Sequence, residues 1–221
     1  MAFVAEPITD NAGKVKVSLV EFPDLGFGYD IEILAEDATA GDYIAALDAW
    51  QERYLAQCKG CDGCCRERAP LTLPDFYPYQ AAFPQAADIL SWLAWCGQVV
   101  KLPNGAVDIL LKRVTSGACT FLIEDMKICR EHAVRSLVCH THVCLPKSGR
   151  ADALRTYLVN QGEDALVAAW LAAGGDGSDV DREGYPPLPD FQQPWQNLML
   201  KKVLPPDLWL ELWGKEGEKT P

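Results

Sequence analysis

Four cysteines fall within eight residues, in the string Cys58-Lys59-Gly60-Cys61-Asp62-Gly63-Cys64-Cys65. Two overlapping C-x-G-C turns set three sulfurs three residues apart. A straight helix would fan those positions around its axis, so the spacing predicts a tight loop. Gly60 and Gly63 each stand directly before a cysteine. Glycine accepts positive φ, which lets a backbone fold around a bound centre and aim N–H groups at thiolate sulfur. Both glycines are therefore read as lining a cofactor. The loop ends in the vicinal pair Cys64-Cys65. In extended chain, neighbouring side chains point opposite ways, which leaves Cys65 to face a different centre from Cys64, or none. Thiolates this dense oxidise or take up a metal.

The remaining cysteines are sparser. Cys119 and Cys129 bracket a stretch that reads as a short hairpin turning near Glu124-Asp125, which would bring its two ends together. Cys139-His140-Thr141-His142-Val143-Cys144 follows, with two histidines inside a cysteine-flanked segment. Cys96 stands alone beside Trp92, Leu93 and Trp95 and is read as a buried packing residue. His132, His140 and His142 are read as surface or hydrogen-bonding groups rather than ligands. Nine cysteines is an odd number, so they cannot all pair as disulfides within one chain. No targeting signal is read at the start and no run is apolar enough to span a membrane. The expected compartment is the cytoplasm, where thiols stay reduced.

The cysteine pattern resembles the CxxCxxCC cysteine-cluster family (YkgJ-like), whose members are described as zinc- or iron-chelating and often labelled iron–sulfur. The likeness begins with the C-x2-C-x2-C-C run itself. It continues in Gly117-Ala118-Cys119-Thr120-Phe121-Leu122, similar to the family's next cysteine segment. Cys129, Arg135 and Cys139 then follow at the family's spacing. The resemblance spans about residues 55 to 145. It departs at Ser136, where the family has Pro, at His140, where it has Arg, and at His132, where it has Tyr. Some proteins sharing such a motif are flagellin lysine methylases, but no catalytic residues of that kind are matched here.

The candidate metal ligands are Cys58, Cys61, Cys64, Cys65, Cys119, Cys129, Cys139 and Cys144. Eight thiolates fit two tetrahedral zinc sites and equally fit two four-cysteine clusters. Structural zinc commonly takes two separated C-x2-4-C knuckles, and the second half has none. A C-x2-C-x2-C run looks more like the opening of a bacterial ferredoxin site, so the expected cofactor is an iron–sulfur cluster, one or two of the [4Fe-4S] type, with zinc as the alternative. The working arrangement gives the first centre Cys58, Cys61, Cys64 and one distal cysteine. The functions this implies are electron transfer or redox sensing, a zinc-stabilised adaptor module, or a metal-dependent enzyme.

Composition narrows the partners. Lys and Arg number 20 against 31 Asp and Glu, a net charge of −11. Nucleic acid is held by phosphate neutralisation and anionic membrane by basic patches, so neither is expected. An acidic surface instead suits a basic redox partner protein. Asp179-x-Asp181-x-Glu183-Gly184 with Asp190 mimics a calcium loop, but Pro186 and Pro187 interrupt it, and it reads as an acidic solvated linker.

The expected fold is α+β, mainly helical, with short β-hairpins around a cysteine-ligated metal centre and a small N-terminal β element. Three regions are expected: a β appendage over 1–36, the cysteine-cluster domain over 37–173, and a linker with a Trp-rich helical extension over 174–221. Alternation predicts strands over 14–20 and 29–33. Helices are predicted over 42–57, over 74–96 with an interruption at Pro84, and over 151–173 with a break at Gly162 and a stop at Gly174-Gly175. Asn104-Gly105 between apolar runs predicts a hairpin over 98–113. Leu73-Pro74-Asp75-Phe76 and Leu188-Pro189-Asp190-Phe191 read as two helix starts. The tail after Gly214 is expected to fray.

Overall fold

The fold comes from a computed structural model and is described over residues 6–55 and 60–214. Cys58 and the tail after Gly214 lie outside the described residues. Helices mix with three small antiparallel sheets, in keeping with an α+β chain. The chain divides into two compact units, one of residues 1–56, 143–157 and 195–221, the other of residues 57–142 and 158–194.

The first unit is built on a three-stranded sheet of β1 (Ile8–Thr9), β2 (Val15–Phe22) and β3 (Gly26–Ile33), in that spatial order. The register sets Val15 against Ile33, Val17 against Ile31 and Leu19 against Tyr29. Period-two alternation sends Val15, Val17, Tyr29, Ile31 and Ile33 to one face, all without solvent exposure. Helix α1 (Ala40–Tyr54) begins with a reciprocal capping box between Thr39 and Asp42 and buries Tyr43, Leu47 and Trp50. The Trp50 ring lies 5.4 Å from that of Tyr29. Gly28 is required where the chain passes Pro146, because a Cβ there would stand 2.0 Å from the Pro146 carbonyl oxygen. Two short helices, α6 (Leu200–Val203) and α7 (Pro206–Leu212), complete this unit, with Trp209 and Trp213 stacked at 5.1 Å.

In the second unit, α2 (Leu73–Ala82) starts with a Thr72–Asp75 capping box and Pro74 in its first turn. A 3-10 turn over Pro84–Ala86 separates it from α3 (Ile89–Cys96), so the predicted interruption at Pro84 is present. Strands β4 (Gly97–Lys101) and β5 (Val107–Leu111) form the Asn-Gly hairpin, with Gly105 at φ +81°. Strands β6 (Leu122–Ile123) and β7 (Ile128–Cys129) form the second hairpin, and the five-residue α4 (Leu137–Thr141) follows.

Helix α5 (Gly149–Ala172) contributes residues to both units and does not break at Gly162. A glycine inside a helix costs about 1 kcal/mol relative to alanine. Buried Leu158, Val159, Leu166, Val167 and Trp170 outweigh that, and Gly162 is itself buried, where a small residue packs well. The helix stops at Gly174, at φ +94°, and the Gly175 N–H bonds the Trp170 carbonyl.

Candidate cysteine site

The loop after the undescribed segment turns at Gly60, whose φ is +79°. Gly63, by contrast, is right-handed at φ −54°, so only the first of these glycines uses glycine's special freedom. Cys64–Arg66 then forms a 3-10 turn. The expected extended geometry is therefore absent at the vicinal pair, and the Cys64 and Cys65 side chains hydrogen-bond each other instead of diverging. Cys61 and Cys64 are exposed and Cys65 is half-buried.

Arginines fasten this loop. The Arg66 guanidinium bonds Asp62 at 2.9 Å and Glu124, in the turn of the second hairpin, at 3.0 Å. Arg113 donates to the Gly117 carbonyl at 2.9 Å and to the Arg66 carbonyl. A backbone bond from the Cys119 N–H to the Cys65 carbonyl, 2.8 Å long, sets the two cysteine-bearing stretches side by side. Cys129 is brought to the same region by pairing with Leu122. Cys139 arrives through Asp75, a buried carboxylate whose oxygens accept from the Thr72 N–H, the Thr72 hydroxyl and the Leu137 N–H at 2.7–3.0 Å. That last bond ties the start of α4 to the start of α2.

The sulfurs are hydrogen-bond acceptors. Cys64 takes the Cys65 side-chain bond and the backbone N–H groups of Cys64 and Cys65, with Arg135 acting on it electrostatically; together these bring its thiol down to about 6. The Cys65 thiol is pushed up by that bond and by burial. Cys119 accepts from the Phe121 N–H at 3.5 Å and from the Leu122 N–H. Cys129 accepts from the Glu131 N–H, and Cys139 from the Ser136 hydroxyl at 3.3 Å. Burial still raises the thiols of Cys119 and Cys129, and raises Cys139 to about 12. Desolvation penalises a thiolate unless positive charge arrives beside it, and a metal ion deprotonates a coordinating thiol outright.

Charge on one thiol acts on the next across the set. Cys65 responds to Cys64, Cys119 and Cys139, and Cys139 responds to Cys119 and Cys129. The structure thus gathers Cys64, Cys65, Cys119, Cys129 and Cys139 into one electrostatic neighbourhood. Cys96 is fully buried on α3, and its thiol is raised to about 12 by burial, with the charges of Cys119 and Asp75 adding to it. Cys144 is exposed and belongs to the first unit. His140 Nδ1 accepts from Arg135 at 3.0 Å, and His132 Nε2 bonds the same guanidinium. Asp179, Asp181, Glu183 and Asp190 are exposed.

Among the described residues, no disulfide is formed by the cysteines. No group of three or more Cys, His, Asp or Glu among those residues is arranged to hold a metal ion. No described helix is long and apolar enough to cross a membrane. Sequence reasoning missed Asp75 as the anchor of the Cys139 segment, though Thr72-x-x-Asp75 carries the signal of a capping box. It also missed Arg66 and Arg113, whose bonds to distant carbonyls and carboxylates leave no local pattern. Comparison with protein-family models, with curated proteins and with solved structures found no match to this chain.

Proposed function

We propose that the cysteine face of the second unit binds a thiolate-ligated metal centre, an iron–sulfur cluster in the first place, and that the protein works in electron transfer or redox sensing. The observation that carries this reading is the convergence of thiols from separate stretches, four of which have N–H or O–H donors directed at sulfur. Such donors tune a thiolate-bound metal from outside its ligand sphere. They have little use beside a neutral thiol, which is a weak acceptor. The gathered groups are sulfurs, the donor type that a soft-ligand metal takes.

Cys64, Cys65, Cys119, Cys129 and Cys139 would hold the group, with Cys61 and Cys58 of the loop as further ligands. When bound, a cluster supplies one-electron exchange. The chain's part is to direct backbone donors at the sulfurs, to place Arg135 near Cys64 and Cys129, and to limit water around Cys139. The acidic surface suits docking to a basic redox partner.

Protein purified without oxygen should be brown, contain iron and acid-labile sulfide, and bleach reversibly with dithionite. Cys119→Ser should lose most of that metal. A colourless protein with stoichiometric zinc would replace the redox role with a structural one, and metal-free thiols would overturn the centre itself.

A further inference from the structure

Cys64 and Cys65 are successive residues of the 3-10 turn Cys64–Arg66. Cys64 is exposed, Cys65 is half-buried, and the two side chains hydrogen-bond each other. A reagent in solvent therefore reaches the first sulfur, and the second stands beside it. The N–H groups of Cys64 and Cys65 bond the exposed sulfur, and Arg135 acts on it. Access and electropositive surroundings single out a cysteine for exchange with a disulfide.

The backbone of this turn is tied on both sides of the pair. The Arg66 N–H bonds the Gly63 carbonyl at 3.0 Å and the Glu67 N–H bonds the Cys64 carbonyl at 3.2 Å. The Cys119 N–H bonds the Cys65 carbonyl at 2.8 Å. Neighbouring Cα atoms lie about 3.8 Å apart, closer than the roughly 4.4–6.8 Å of an ordinary disulfide. Closing a ring between adjacent cysteines has to twist the backbone that carries these three bonds.

We propose that Cys64 and Cys65 are a thiol–disulfide exchange pair, that their substrate is a low-molecular-weight disulfide such as oxidised glutathione, and that oxidation loosens the turn. The inference concerns the two sulfurs when no metal is on them and goes beyond the metal reading. The Cys64 sulfur, its proton passed to solvent, attacks one sulfur of the external disulfide. A mixed disulfide forms, the external S–S bond breaks, and the first glutathione leaves as a thiolate that takes up a proton. The Cys65 sulfur then gives its proton to solvent and attacks the Cys64 sulfur, and the second glutathione leaves in the same way. The pair loses two hydrogens and two electrons, and one external disulfide becomes two thiols. The ring so formed is exposed and strained, the kind that thiols reopen readily.

The test uses protein purified without oxygen, with its metal content measured first. It is mixed with oxidised glutathione both as purified and after chelator treatment, then mapped by peptide mass and hydrogen exchange. Wild type should form the Cys64–Cys65 disulfide in at least the chelated sample and keep no glutathione there. Cys65→Ser should stop at glutathione on Cys64. Cys64→Ser should react at Cys65 about tenfold more slowly, since the exposed sulfur is gone. Oxidised wild type should exchange the Arg66, Glu67 and Cys119 amides several-fold faster than reduced wild type, and dithiothreitol should reverse this. Glutathione retained on Cys64 in wild type, a disulfide from Cys64 to Cys61 or Cys119, or no reaction at Cys64 in either sample overturns the pair. Unchanged exchange at the three amides overturns the loosening. The metal content measured at the start judges the metal reading separately.

Discussion

The N-terminal sheet with α1 and the cysteine face of the second unit hold their shapes by different means. In the first, strands of eight residues pair in register and α1 spans fifteen residues, so backbone bonds and apolar burial repeat regularly. In the second, β6 and β7 have two residues each and α4 has five. Elements this short have little stability of their own. Their places are set by individual side-chain bonds: Arg113 to the Gly117 and Arg66 carbonyls, Asp75 to the Leu137 N–H, and Arg66 to the Glu124 carboxylate in the hairpin turn. One region is built by periodic burial and the other by a few individual polar fastenings, so damage should spread differently in each.

Trp50→Ala should show the largest effect. It empties a fully buried aromatic position between α1 and the sheet, at a cost of about 3–5 kcal/mol. Urea unfolding should register that loss while metal content per folded molecule stays unchanged. A fall in metal content would break the contrast drawn here.

Asp75→Ala attacks one fastening. It strands the Leu137 N–H and the Thr72 cap, for about 2–3 kcal/mol. Metal content should fall with it, since Cys139 loses its anchor, and hydrogen exchange should quicken at Leu137 and His140 but not at Val17 or Ile31. Unaltered exchange in α4 would show that Asp75 does not hold that segment.

Glu163 sharpens the picture within the second unit. Burial raises its carboxyl from 4.5 to about 7; the Ile109 N–H opposes this, and the charges of Asp108 and Asp164 add to it. Between those two values the folded state keeps a proton that the unfolded state has lost, so stability falls as pH rises through that window. Glu163→Gln should remove this dependence. The variant should match wild type near pH 4 and exceed it by about 1–2 kcal/mol at pH 8, as read from urea midpoints. An equal difference at both pH values would refute the assignment.

The same contrast explains what could be read from sequence. Alternation at Val15 and Val17, Asn104-Gly105, the turn between Cys119 and Cys129, and the stop at Gly174 are signals carried within a few residues, and the elements they predict are present. Gly162 misled because a local propensity of about 1 kcal/mol gave way to packing invisible along the chain. The Cys64-Cys65 pair misled because its 3-10 turn is held by Arg66, which reaches a carboxylate 58 residues away. The cysteines were conspicuous, but their neighbours Asp75, Arg113 and Arg135 acquire their roles only once the chain is folded.

The link between Cys119 and Cys65 is an amide bonded to a carbonyl, and sulfur takes no part in it. The two stretches therefore meet without any contribution from their sulfurs. Replacing either cysteine with serine should leave that backbone bond, and the route of the chain around it, in place.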